Sequence, residues 1–142
     1  MRYIRSIILH ATATVPGREP DLQALRAQLD GVSSKQRYLG YHYLVHQDGT
    51  VTRTRPISLA GGYCPGHGAH CIAVAYVGGL IDGVIADTRT KAQRDALLRL
   101  LTTLTRMYRC QIFAHHDLDA RTACPGFDVQ AEYGKLYSQI CL

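Results

Sequence analysis

The 142-residue chain is as informative in what it lacks as in what it holds. No segment approaches the roughly 18 consecutive apolar residues of a membrane span. The start, MRYIRSIILH, has only a short apolar run and no small-residue cleavage site. It predicts synthesis in the cytoplasm without a signal peptide. The five cysteines, Cys64, Cys71, Cys110, Cys124 and Cys141, are odd in number, without a CxxC pair or regular spacing, which argues against a disulfide scaffold. Cys71, Cys110 and Cys141 have largely apolar neighbours and read as small buried residues or free thiols. The formal net charge of +5 favours anionic partners such as nucleic acid, a membrane surface or a cell-wall polymer. Yet no basic stripe with interleaved aromatics is present, so a nucleic-acid-binding domain ranks last among the readings. No repeat, low-complexity tract or internal boundary interrupts the chain. Its length and 46% apolar content predict a single domain over 1–142 with one packed core.

What is present alternates strands with helices, which predicts an α/β sheet with flanking helices. RYIRSIILH reads as a strand that ends on His10. DLQALRAQL reads as a short amphipathic helix with Asp21 as its N-cap. YHYLVHQDGTVTRTR carries a hairpin signal centred on Asp48-Gly49. ISLAGGYCPGHGAH is a long glycine-rich loop, and loops of that length in a compact domain usually line a site. CIAVAYVGG, almost wholly apolar, reads as a central strand buried on both faces. LIDGVIAD reads as a connecting loop. TKAQRDALLRLLTTLTRMYR is the clearest helix, with a capping box between Thr90 and Gln93. CQIFAH reads as another strand, and Asp128 caps a last helix, VQAEYGKLYSQI.

Chemistry concentrates in AHHDLDARTACPGFD, from Ala114 to Asp128. His10 and His115 stand at strand ends, and Cys124 follows across a loop. Two histidines and a cysteine make a three-ligand zinc set that leaves a fourth position open for water, the arrangement of a catalytic rather than a structural site. From spacing alone, each histidine reads equally well as a satisfied polar residue.

Four blocks then resemble, in order, one family: the zinc-dependent N-acetylmuramoyl-L-alanine amidases of the bacteriophage lysozyme and peptidoglycan-recognition protein group. IILHATAT resembles the strand of the first ligand, His10. LGYHYLVHQDGTV resembles the Gly-Tyr-His hairpin, whose tyrosine sits beside the metal and is Tyr41 here. GHGAHCIAVAYVGG resembles the central strand. AHHDLDARTACPGFD resembles the block that supplies a histidine and a cysteine. The match runs from about Ile4 to Asp128.

The resemblance implies a mixed β-sheet flanked by α-helices. It also implies one Zn2+ per chain on His10, His115 and Cys124, and hydrolysis of the amide between N-acetylmuramic acid and L-alanine in peptidoglycan, acting on the wall after release or export. His115 rather than His116 is the implied ligand, because the family's acid follows two residues later, as Asp117. If the segment is extended, His116 should point the other way. Tyr41 is the implied catalytic hydroxyl. Phage members carry lysine two residues before the ligand cysteine; Thr122 stands there, and either Thr122 or the adjacent Arg121 is left to stabilise developing charge. Tyr63 falls where relatives often have histidine. Tyr63 and His67, with His70 behind them, are expected to contact substrate. His42 reads as a structural polar residue and His46 as exposed. The alternative is a non-catalytic peptidoglycan-binding module. Such members characteristically lose the cysteine ligand, and Cys124 is present.

Overall fold

The computed structural model describes residues 2–23, 25, 38–63 and 66–140. Its strands are β1 (Ser6–Ala11), β2 (Tyr43–Val45), β3 (Val51–Arg53), β4 (Cys71–Tyr76), β5 (Leu80–Ile81), β6 (Val84–Ile85) and β7 (Gln111–Ala114). Five of them form one sheet in the order β3-β2-β4-β1-β7. β1 runs parallel to both β4 and β7, β2 runs parallel to β4, and only β3 is antiparallel. The sheet is therefore mixed, and every residue of the central strand β4 is buried, as its unbroken apolar run predicts.

Two long helices, α1 (Lys91–Tyr108) and α3 (Val129–Ile140), cover one face, and between them lies a single helical turn, α2 (His115–Leu118). α1 starts as expected: Thr90 Oγ1 accepts the Gln93 N–H, and Gln93 Oε1 accepts the Thr90 N–H. It stops at Arg109, whose left-handed backbone lets its N–H return to the Thr105 carbonyl. At the start of α3, Asp128 Oδ1 accepts the Ala131 N–H at 3.0 Å.

The pleat sorts β1 between two environments. Ile7, Leu9 and Ala11 pack with Ile72, Val74 and Tyr76 of β4 against Leu97, Leu101, Val129 and Tyr133 of the long helices. Ile8 points to the opposite face, where Cys71 and Leu118 meet it. His10 shares that second face. There Leu44, Ala73, Ala75 and Val77 pack with Leu25, Leu39 and Tyr41. The site is thus built on the sheet face away from the two long helices.

Three expectations change. LIDGVIAD is not a plain connection: Leu80–Ile81 pairs antiparallel with Val84–Ile85. The two turn residues, Asp82 (φ 50°) and Gly83 (φ 77°), adopt the positive φ values of the tight hairpin turn that suits strand twist. The strand read as ending on His115 stops at Ala114, and His115 opens α2. Tyr41 precedes β2 rather than lying within it. The helix expected over 21–29 falls mostly outside the described residues; at its start, Asp21 Oδ1 accepts the Gln23 N–H at 2.9 Å. Cys64 and Cys141 also lie outside them, whereas Cys71, Cys110 and Cys124 are free and buried. No helix among the described residues is long and apolar enough to cross a membrane.

Candidate metal centre

Three segments bring the ligand candidates together. β1 carries His10. Its neighbour β7 ends at Ala114, where Asp117 Oδ2 accepts the Ala114 N–H at 2.8 Å and turns the chain into α2. That turn places the His115 ring 4.8 Å from the His10 ring, centroid to centroid. Cys124 arrives from the loop that follows. The candidate ligand atoms of His10, His115 and Cys124 all lie within 4.8 Å of one another.

The cysteine loop is held from several sides. The Cys124 N–H donates to Thr122 Oγ1 at 3.1 Å. The Cys124 carbonyl accepts the His116 N–H at 2.9 Å and the His116 Nδ1–H at 3.0 Å. The Tyr76 hydroxyl donates to the Pro125 carbonyl at 2.7 Å. A Cβ on Gly126 would collide with the Ala86 backbone, and its φ of 95° also favours glycine. Phe127 lies under the buried Arg89 guanidinium, 3.4 Å from it, and that guanidinium pairs with Asp87 and Glu132. His116 is therefore a brace for the cysteine loop. Its divergence from His115 comes from the roughly 100° per residue of a helix, not from an extended strand.

Burial sets the electrostatics. His10 is 1% exposed. Desolvation, and then the neighbouring His115, lower its pKa to about 3. Burial also lowers that of His115. Both rings are therefore neutral at ordinary pH. Yet the Nε2 atoms of His10 and His115 are both buried without a hydrogen-bond partner, an arrangement that costs free energy unless something else binds there. The Cys124 thiol is raised to about 11 by burial, opposed by a hydrogen bond from the Ala11 backbone. Two neutral imidazoles and one thiol, buried and convergent, are the donor set of a zinc site with an open position. The residues fit the metal.

Above them is a cavity of about 260 Å³ lined by His10, Tyr41, Tyr63, His115, Thr122 and Cys124. Tyr41 is 2% exposed, with its ring centroid 5.3 Å from that of His10. Ile85, from the β5–β6 ribbon, adds an apolar wall. The sequence reading missed Ile85, although Asp82-Gly83 between two apolar pairs is the signal that would have found the ribbon.

Other candidates stand elsewhere. Arg121 is exposed, its Nε 2.9 Å from Asp119 Oδ1. His67 is exposed at the head of the 3-10 turn Gly68–His70 and does not line the cavity. His70 is exposed, with Nδ1–H donating to the Tyr3 carbonyl at 3.1 Å. His42 is wholly buried: its Nδ1 accepts the Ala73 N–H at 2.9 Å and its Nε2–H donates to the Leu59 carbonyl at 2.8 Å. It is structural, as expected. His46, expected to be exposed, is half-buried between Glu19 and Thr52.

Comparisons with known proteins agree with this geometry. The family model described as N-acetylmuramoyl-L-alanine amidase matches residues 1–127. The endolysin of Enterobacteria phage T3 is 34% identical over 134 residues, spanning 92% of this chain and 85% of the phage protein. The endolysin of Escherichia phage T7 is 33% identical over 134 residues, with the same coverage of 92% and 85%. The solved structure of N-acetylmuramoyl-L-alanine amidase LysC from Clostridium intestinale superposes with a TM-score of 0.73 at 23% identity, covering 99% of this chain and 87% of that one, and so shares the fold. With a family model matched over most of its length and phage relatives above 30% identity, the chain belongs to the N-acetylmuramoyl-L-alanine amidase family.

Proposed function

We propose that the chain hydrolyses the amide between N-acetylmuramic acid and L-alanine in peptidoglycan, using zinc held by His10, His115 and Cys124. The observation that carries this reading is the convergence of these three side chains, with two orphaned imidazole nitrogens, beneath a cavity in a chain of this family. The substrate is the muramyl peptide of the wall, reached after release or export.

A zinc held by His10, His115 and Cys124 would supply Lewis-acid polarisation of the scissile carbonyl and would acidify a water to a pKa of about 7. The rest falls to the chain's own groups. Burial keeps His10 and His115 neutral, so their lone pairs are available as ligands without a proton to displace. The Ala11 N–H favours the anionic form of Cys124. Tyr41, packed beside His10 at the cavity wall, donates its hydroxyl to the Ala11 carbonyl at 3.5 Å in the resting structure, and would redirect that long bond to the oxygen gaining charge. Thr122 Oγ1 accepts the Cys124 N–H, which leaves the threonine hydroxyl hydrogen to donate into the cavity. In that reading Thr122 takes the place of the phage-type lysine, and Arg121, paired with Asp119 in solvent, does not. Tyr63 and Ile85 keep water from the reacting bond.

A glycosidase is disfavoured on the same geometry. Cleavage of a sugar bond ordinarily needs two facing carboxylates. Asp117, Asp119 and Asp128 are the acids nearest in sequence to the ligands, and none of them lines the cavity. Digestion of purified sacculi with and without a chelator tests the reading. Release of intact stem peptides with a free L-alanine amino terminus, abolished by chelation and restored by zinc, is expected. New reducing sugar ends, or a new terminus at another residue, would overturn it. Binding to sacculi without any release would instead favour the recognition module.

A further inference from the structure

Tyr63 is one of two cavity-wall residues, with Ala13, that hold a positive φ without being glycine. Its backbone sits at φ 74°, a region a bulky aromatic residue enters only when its surroundings over-determine it. The surroundings are specific. The Gly40 N–H donates to the Tyr63 hydroxyl at 3.0 Å, and the Gly62 N–H donates to the Gly40 carbonyl at 3.0 Å. Residue 40 and residues 62–63 are thus tied in both directions. A Cβ on Gly40 would run into Cε2, Cζ and Oη of the Tyr63 ring, so that ring occupies the space a side chain at position 40 would need.

Gly40 directly precedes Tyr41. The Tyr63 ring lies 4.5 Å from the Tyr41 ring, inclined by 47°, and Tyr41 lies 5.3 Å from His10. The Tyr63 ring also meets His10 edge-on at 6.1 Å, so the three rings form a triangle in which Tyr63 is bolted to the backbone just before Tyr41. A contact of this kind restricts the tilt of the Tyr41 ring, and so where its hydroxyl can reach.

We propose that Tyr63 is a positioning residue: through its ring and its bond to Gly40 it holds Tyr41 at the angle the reaction uses. This rests on the reading of Tyr41 as the hydroxyl that donates to the developing oxyanion. It replaces direct substrate contact as the main work of Tyr63, because the tyrosine oxygen accepts from Gly40 and the ring lies against Tyr41 and His10.

A double-mutant cycle on the zinc-loaded protein tests it. Tyr63→Phe keeps the ring and loses the bond to Gly40. It should lower kcat about 10-fold, as small misplacements of reacting groups do, with KM and zinc content unchanged. In a Tyr41→Phe background the same change should cost nothing further, since the hydroxyl being aimed is already gone. Gly40→Ala, which displaces the ring by a different route, should reproduce the loss in kcat at full zinc content. Independent, multiplying losses overturn the proposal, as does a raised KM with kcat intact, which would mark a substrate contact. Unchanged kinetics in both Tyr63→Phe and Gly40→Ala also overturn it. A fully active Tyr41→Phe enzyme would instead sink the role given to Tyr41, and the positioning role with it.

Discussion

The backbone N–H of Ala11 donates to the sulfur of Cys124 at 3.2 Å, across 113 positions of sequence. Ala11 follows His10 directly. The strand that delivers one candidate ligand therefore also supplies the amide that steadies another. That amide favours a thiolate in a place where burial alone pushes the thiol up to about 11. A bound cation would add the larger compensating charge, and metal binding would release the proton.

The Cys124→Ser variant should consequently lose zinc. Elemental analysis of protein purified without added metal should fall from one zinc per chain toward none, while the apo fold persists through the sheet and α1. Full retention of zinc by the variant would remove Cys124 from the ligand set.

Tyr41→Phe removes a hydroxyl and leaves the ring packed against His10 and Tyr63. Loss of one donor to a developing oxyanion typically costs on the order of 100-fold in turnover. Zinc content and melting temperature should change little. A rate equal to that of the parent enzyme would reduce Tyr41 to a packing residue.

Arg89→Met tests the clamp on the cysteine loop. The guanidinium is 2% exposed at its side chain, bonds Asp87, Glu132 and the Tyr133 hydroxyl, and stacks on Phe127. Methionine keeps much of the volume but takes the main partner from two partly exposed carboxylates, Asp87 keeping only its 3.9 Å contact with Arg94, so the expected loss is about 2–3 kcal/mol. Urea unfolding measures it. Zinc should also exchange faster from the variant, read by transfer to a colorimetric chelator. Stability and exchange both equal to the parent's would mean that Arg89 holds nothing in place.

Acid sensitivity should trace in part to His42. Burial, with Arg2 and Arg55 nearby, lowers its pKa to about 4, against a Leu59 carbonyl that favours the charged ring. An unfolded chain takes up the proton near its ordinary pKa of about 6.5. Between those values the unfolded state binds more protons, so stability is complete above about pH 6.5 and falls as pH drops toward 4. The span corresponds to a few kcal/mol, about 3 at most. Melting temperatures of the parent and a His42→Gln variant across that range should converge at low pH. Parallel curves would assign the acid loss to other groups.

Much of this was readable in one dimension. The capping box at Thr90 and Gln93, the Asp128 cap, the Asp48-Gly49 hairpin and the buried central strand are local or periodic signals, and each describes where its own few residues go. The candidate ligands were also legible, because residue types in four ordered blocks resembled a known family. Tertiary packing decided the remainder. Thr122 faces the cavity while Arg121 next to it pairs with Asp119 in solvent, although both were open candidates. Irregular loops have no period from which a side-chain direction can be read, and this one is set by what grips it: His116, Tyr76 and the Ala86 backbone. His67 lies outside the cavity and Ile85 inside it because the glycine-rich loop and the short ribbon take their paths from distant neighbours. The bond between Gly40 and Tyr63 belongs to the same class. Composition and periodicity determined most of the elements this chain builds, and the family resemblance named the candidate ligands. Only the meeting of segments far apart in sequence decided which neighbours hold those ligands, since such contacts form after loop closure and leave no local trace.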